Sequence, residues 1–135
     1  MNEQLKEELI EFGLVLLSLA IIAVMCVSAA YAEPIDELKE YDKYLWNNIN
    51  YTFKESVSSP KLFLKTMNGD CSEVALAMCD KARKLNVSCH LVYGYVWKNN
   101  TKYYHDWAEF KINNTWVNFE KPYYEKIKPR GFGQW

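Results

Sequence analysis

The chain has 135 residues, half of them hydrophobic, and a formal charge of −1. That length admits one domain with its own core and little else. Before residue 33 the only charged residues are Glu3, Lys6, Glu7, Glu8 and Glu11. The charges beyond it are near balance and scattered along the sequence. This argues against the clustered basic stripe of a nucleic-acid binder, so no nucleic-acid partner is expected.

Residues 12–32 carry no charge, and 14–27 are almost continuously aliphatic. About 20 apolar residues of helix suffice to cross a bilayer core, so a membrane-targeting segment is expected over residues 1–32. Ala30-Tyr31-Ala32 sets small residues where a signal peptidase would cut before Glu33. The acidic leading segment is unlike an export signal, which leaves a cleaved signal peptide and a retained transmembrane anchor both open. Sequons at Asn50, Asn86, Asn99 and Asn113 suit an extracytoplasmic location. A single folded domain is expected over residues 33–135.

Within that domain Pro34 can open a helix, and Ile35, Leu38, Tyr41, Leu45 and Trp46 follow at helical spacing. Residues 51–60 read as an irregular connection and 61–66 as a short helix, with Asn68-Gly69 as a turn pair. Asp70 then caps a third helix, and Glu73 completes a capping box. Val74, Ala75, Met78, Cys79, Ala82 and Leu85 form its apolar stripe, and Lys81, Arg83 and Lys84 complement the dipole at its end. Strands are expected at 90–97, 102–112 and 115–120, joined by turns at 98–101 and at Asn113-Asn114. Residues 121–135 read as a strap that packs Tyr123, Tyr124 or Trp135 on the domain. The fold class is α+β: helices first, then a small antiparallel sheet packed against the third helix.

This assignment puts Cys71 at the first helical position, where backbone N–H groups and the dipole favour a thiolate. The N–H groups of Cys71 and its neighbour are also placed to hold an oxyanion. Such a thiol needs a base, and the base an orienting group. If Asn113-Asn114 is a two-residue turn, Ile112 faces Thr115 and Trp107 faces Glu120. His105 and Glu120 are then diagonal neighbours on one sheet face, about 7–8 Å apart at the backbone. Asp106 points to the other face, and Glu109 lies about 13 Å along the strand from His105. A one-residue slip would undo this placement.

Residues 59–64, then Asn68-Gly69-Asp70-Cys71-Ser72-Glu73, resemble the nucleophile region of transglutaminase-like proteins. Tyr93-Gly94-Tyr95-Val96 is similar to that family's first core strand, and His105-Asp106-Trp107-Ala108-Glu109 to its histidine strand. Trp116 followed by Glu120 is similar to its Trp-to-Asp strand, and Asn50-Tyr51-Thr52-Phe53 to the preceding helix exit. The resemblance covers roughly residues 38–121. It implies a papain-type thiol site, with Cys71 as nucleophile, His105 as base and Glu120 as orienter. The family usually has Asp at the last position, and its upstream oxyanion side chain has no assigned counterpart here.

The implied activity is acyl transfer through a Cys71 thioester, to water in a cysteine peptidase or amidase, to an amine in a transglutaminase. The substrate would be a peptide or protein, and a cell-envelope peptide would suit the expected location. An inactive, membrane-tethered peptide-binding module is the alternative. Cys79 and Cys89 read as two small core residues or as a disulfide from helix to strand. No C-x₂-C pair or close His pair suggests zinc, and neither metal nor cofactor is expected.

Overall fold

The computed structural model describes residues 2–30 and 33–133. The chain divides into two compact units, Met1–Glu33 and Pro34–Trp135. The first is one helix, α1 (Glu3–Ala30), whose aliphatic side chains from Leu14 to Ile22 are exposed. The expected membrane segment runs past the described side chains, which end at Ile22 in this helix, and its cleavage motif at 30–32 lies outside them. Among the described residues no helix is long and apolar enough to cross a membrane.

The second unit is an α+β domain. Helix α2 (Pro34–Asn48) starts on proline, carries Asp36 and Glu37 in its first turn, and buries Leu38, Asp42 and Leu45. A two-residue strand β1 (Asn50–Tyr51) follows, then α3 (Pro60–Thr66), capped by the Ser59 hydroxyl, which accepts from Leu62 N. The chain reverses at Met67, which is left-handed at φ 52°. The expected turn pair Asn68-Gly69 is instead a short strand, β2 (Asn68–Gly69), parallel to β1. Glycine is needed there for closeness rather than for the turn: a Cβ on Gly69 would lie 2.9 Å from Glu73 Cβ.

Helix α4 (Cys71–Lys84) follows with the expected boundaries, and Asn86 beyond it is left-handed at φ 57°. Its stripe of Val74, Ala77, Met78, Cys79 and Ala82 packs with Leu38, Leu45, Phe63, Ala108 and Phe110 in the main core. The sheet comprises β3 (Cys89–Lys98), β4 (Thr101–Ile112), β5 (Thr115–Val117) and β6 (Lys126–Gly133), in the order β5-β4-β3-β6. Both hairpins turn on Asn-Asn pairs with positive φ, the geometry that matches strand twist. Ile112 pairs with Thr115, as the two-residue turn requires.

Two expectations for the C-terminal part are corrected. The strand that starts at Thr115 stops at Val117, because the Asn118 side chain folds back to accept Glu120 N–H at 3.2 Å. The strap over residues 121–135 contains β6, which pairs with β3 along the other edge. Pro129 and two glycines hide that strand in the sequence. An edge position tolerates the proline, and the register shift beside Gly94 lets β6 pass where a Cβ would meet Lys128 O at 2.3 Å. Trp135 lies outside the described residues.

Cys79 and Cys89 form a disulfide rather than two separate core thiols, tying α4 to β3 across ten residues. Closing a loop of that length in the unfolded chain stabilises the fold by about 2–4 kcal/mol. Adding a reductant should therefore lower the urea midpoint accordingly, and an unchanged midpoint would show the bond to be idle.

Candidate active site

The N-terminus of α4 is built around two acids. Asp70 Oδ1 accepts Ser72 N–H at 2.9 Å, while Glu73 Oε2 accepts Asp70 N–H at 2.9 Å. Glu73 is fully buried, and its other oxygen accepts Ser58 N–H at 3.0 Å, with Lys54 Nζ 4.0 Å away. Burial alone would raise the Glu73 carboxyl pKa, but the N–H groups of Asp70 and Ser58 outweigh it and hold the pKa low. Burial raises that of Asp70. Glu73 thus locks the loop before the helix onto its first turn, and so sets where Cys71 sits. Glu73→Ala would leave two buried or part-buried N–H donors without their acceptor, lowering unfolding free energy by about 3 kcal/mol in urea titration. A loss below about 1 kcal/mol would contradict that role.

Cys71 is half-buried at the first position of α4 and is the free cysteine among the described side chains. His105, on β4, is 4% exposed, and its Nε2 lies 2.8 Å from Glu120 Oε2. Glu120 sits just beyond β5 rather than on it, in the turn that Asn118 makes, and is itself buried. The expected pairing of His105 with Glu120 is therefore present, although the carboxylate arrives from a turn and not from a ladder position. Asp106 does face the other way, accepting from Ser72 Oγ at 2.7 Å and so joining the Cys71 helix to the His105 strand. Glu109 is engaged elsewhere, with His90 Nε2 at 3.1 Å, Trp107 Nε1 at 3.3 Å and Asn118 Nδ2 at 3.2 Å.

Since Glu120 occupies Nε2, Nδ1 is the ring nitrogen left for Cys71. Burial works against the charged imidazole, but hydrogen bonding to the Cys71 thiol and to the Glu120 carboxylate prevails. The His105 pKa is pushed up to about 9. The ring is also boxed by aromatics: Trp107 stacks at 6.0 Å, Tyr124 tilts against it at 4.9 Å and Trp46 at 6.5 Å. These contacts restrict its orientation and exclude water from one side.

Several site residues escaped the sequence reading. Asp42, on the apolar face of α2, lines the same small cavity as Trp46, Cys71 and Glu120. Burial, then the Glu120 charge, push its pKa up to about 7, with Trp46 and Tyr123 partly offsetting the rise. An acid between Leu38 and Leu45 at helical spacing was the available signal. Tyr51 lies beside Cys71. Burial and then the Cys71 charge push the phenol pKa up to about 12. Burial, then the Glu120 and Cys71 charges, raise that of Tyr124 as well. Of the two backbone oxyanion donors expected, Ser72 N–H is already taken by Asp70. Among the described residues, no group of three or more His, Cys, Asp and Glu is arranged to hold a metal ion.

Comparison with known proteins follows the same lines. The family model of the transglutaminase-like superfamily matches residues 26–121. A crystal structure of a candidate cysteine protease from Cytophaga hutchinsonii superposes with a TM-score of 0.59 at 20% identity. The match covers 67% of this chain and 32% of that one, so the chain spans about a third of that protein's length. At this identity the likeness concerns the fold. Among curated proteins none matches.

Proposed function

The chain belongs to the transglutaminase-like superfamily, and from that premise we propose that it performs thiol-dependent acyl transfer on amide bonds. The observation that carries this reading is a buried histidine beside Cys71, the first residue of a helix, with its Nε2 held by Glu120 at 2.8 Å. His105, its pKa raised to about 9, already holds the thiol proton on Nδ1 at neutral pH, and the Cys71 thiolate attacks the amide carbonyl carbon. Cys71 N–H and the Tyr51 hydroxyl hold the developing oxyanion. The C–N bond then breaks as the imidazolium returns its proton to the leaving amine, which leaves a Cys71 thioester. Water, deprotonated by His105, releases the acid and restores the thiol.

Hydrolysis is favoured over transfer to an amine, making the protein a cysteine peptidase or amidase. The domain is small, and its sequence has no acidic calcium-type loop of the kind that more elaborate cross-linking would call for. A location outside the cytosol is supported by the disulfide, by the four sequon asparagines, all exposed, and by the uncharged residues 12–32. Membrane attachment rests on that last segment alone. N-terminal sequencing separates its two forms, a start at Glu33 meaning secretion and an intact Met1 an anchor.

The thiol reading is tested by iodoacetamide at neutral pH, with the modified peptide identified by mass spectrometry. Cys71 should be alkylated at least about ten times faster than a free cysteine, because its thiolate is paired with an imidazolium. Labelling no faster than free cysteine would favour the inactive peptide-binding module.

A further inference from the structure

Charges that are scattered along the sequence are gathered by the sheet register. On β3, Tyr93, Tyr95 and Trp97 project to one face. Their partners there are Asp106, Tyr104 and Lys102 on β4, and Gly131, Lys128 and Lys126 on β6. Directly opposed residues share a face, so these rows form one surface. Lys102 Nζ lies 3.9 Å from the Tyr95 ring centroid, and Lys126 Nζ 5.0 Å from that of Trp97. Arg130, the extra residue at the register shift, places its guanidinium 5.7 Å from the Tyr95 ring.

Lys102, Lys126, Lys128 and Arg130 are exposed, and none of the four forms a salt bridge among the described residues. Three of these cations lie over aromatic rings and none of the four has an ion-pair partner among the described residues, which is an anion-binding arrangement. The face also continues toward the start of α4. Tyr93, Tyr104 and Asp106 border a cavity of about 280 Å³ that Ser72, Leu76 and Leu91 complete. Ser72 and Asp106 are the chain neighbours of Cys71 and His105.

We propose that this face docks the substrate of the Cys71 site and selects acidic polypeptide. The inference rests on the acyl-transfer reading and names its substrate class. Carboxylates on one side of the scissile amide seat on the Lys/Arg rows, while the chain runs over Tyr104 and Tyr93 toward the thiol. A polyphosphate backbone laid along the same rows would carry its charge onto Asp106. A peptide presents a neutral amide there.

The test uses the full chain and two peptide electrophiles with the same thiol-reactive group, one Glu-rich and one Ala-rich. The Glu-rich reagent should modify Cys71 at least about tenfold faster, and about 1 M NaCl should erase the difference by shortening the screening length to about 3 Å. Lys102→Ala/Lys126→Ala/Arg130→Ala should also lose the preference while keeping its iodoacetamide rate. Equal rates for the two peptides, or a preference that survives both salt and the triple variant, overturn the proposal.

If iodoacetamide itself shows no activated thiol, the catalytic reading fails, and the docking face is judged separately. Anisotropy of a dye-labelled Glu-rich peptide on Cys71→Ser must then still show binding that the triple variant weakens at least about fivefold. Tighter binding of a single-stranded oligonucleotide or of anionic lipid vesicles than of that peptide also overturns it.

Discussion

Exchanging His105 for alanine lowers the alkylation rate of Cys71 at neutral pH, and with it amide turnover, by about 10²–10⁴-fold. The helix start by itself stabilises a thiolate only modestly, and Asp70 and Glu73 beside it oppose negative charge. Most of the activation therefore has to come from the imidazole. The pH dependence carries a sign. The folded pKa of His105 is raised to about 9 from an ordinary value of 6.5. Its contribution to stability is thus complete below about pH 6.5 and is lost as pH climbs through about 9. The full difference is about 3 kcal/mol. Turnover should fall over the upper part of that window, as the acid that protonates the leaving amine disappears. Titration of the His105 ring by NMR, together with urea midpoints measured across the window, checks both. An ordinary imidazole pKa with unchanged Cys71 reactivity in the alanine variant would remove His105 from the mechanism.

Glu120→Gln should have the next largest effect. The carboxylate and the ring are almost wholly buried and 2.8 Å apart, so losing the charge leaves an imidazolium without its partner in a dry site. Breaking such a buried pair costs about 3–5 kcal/mol. An amide can also present its NH₂ to the ring and favour the wrong tautomer, so turnover should drop by about 10²–10⁴-fold, while the His105 pKa moves back toward its ordinary value. Glu120→Asp is the informative companion. The glutamate reaches the ring from the turn after β5, and a side chain one methylene shorter should fall short of it. We expect the aspartate variant to recover only part of the loss in turnover. Full activity in Glu120→Gln would reduce the pair to a packing contact, and full activity in Glu120→Asp would show that the longer side chain is not required.

The contrast between Cys71 and Glu120 shows what could be read along the chain. Cys71 was placed by local signals alone: an Asp cap, Glu three residues on, and an apolar stripe at helical spacing. Its boundaries need nothing from the rest of the molecule, since capping and the dipole act within one turn. His105 and Asp106 were separated onto opposite faces by strand alternation, which is equally local. Glu120 was reached through the two-residue Asn113-Asn114 turn, and that register holds over Phe110–Val117, Lys111–Trp116 and Ile112–Thr115. The strand nonetheless ends three residues before the expected 120, because nothing in periodicity announces a side chain that recaptures the backbone, as Asn118 does.

What escaped is what depends on distant chain segments meeting. Asp42 is an ordinary acid on α2 until Glu120 and Cys71 close over it, and Tyr51 gains its place only when β1 pairs with β2. The disulfide remained one of two options because spacing alone does not set the approach of α4 to β3. The sheet edge shows the same limit. Proline and glycines concealed β6, and without β6 the cations of residues 126–130 could not be placed beside Lys102. The sequence by itself therefore determined the helix that presents the thiol, the face that carries the histidine and the α+β class. The tertiary structure alone decided that Asp42 joins Glu120 beside that pair and which cations share one sheet face. Capping and alternation are properties of neighbouring residues, whereas burial, charge coupling and cross-strand surfaces exist only once remote segments are packed together.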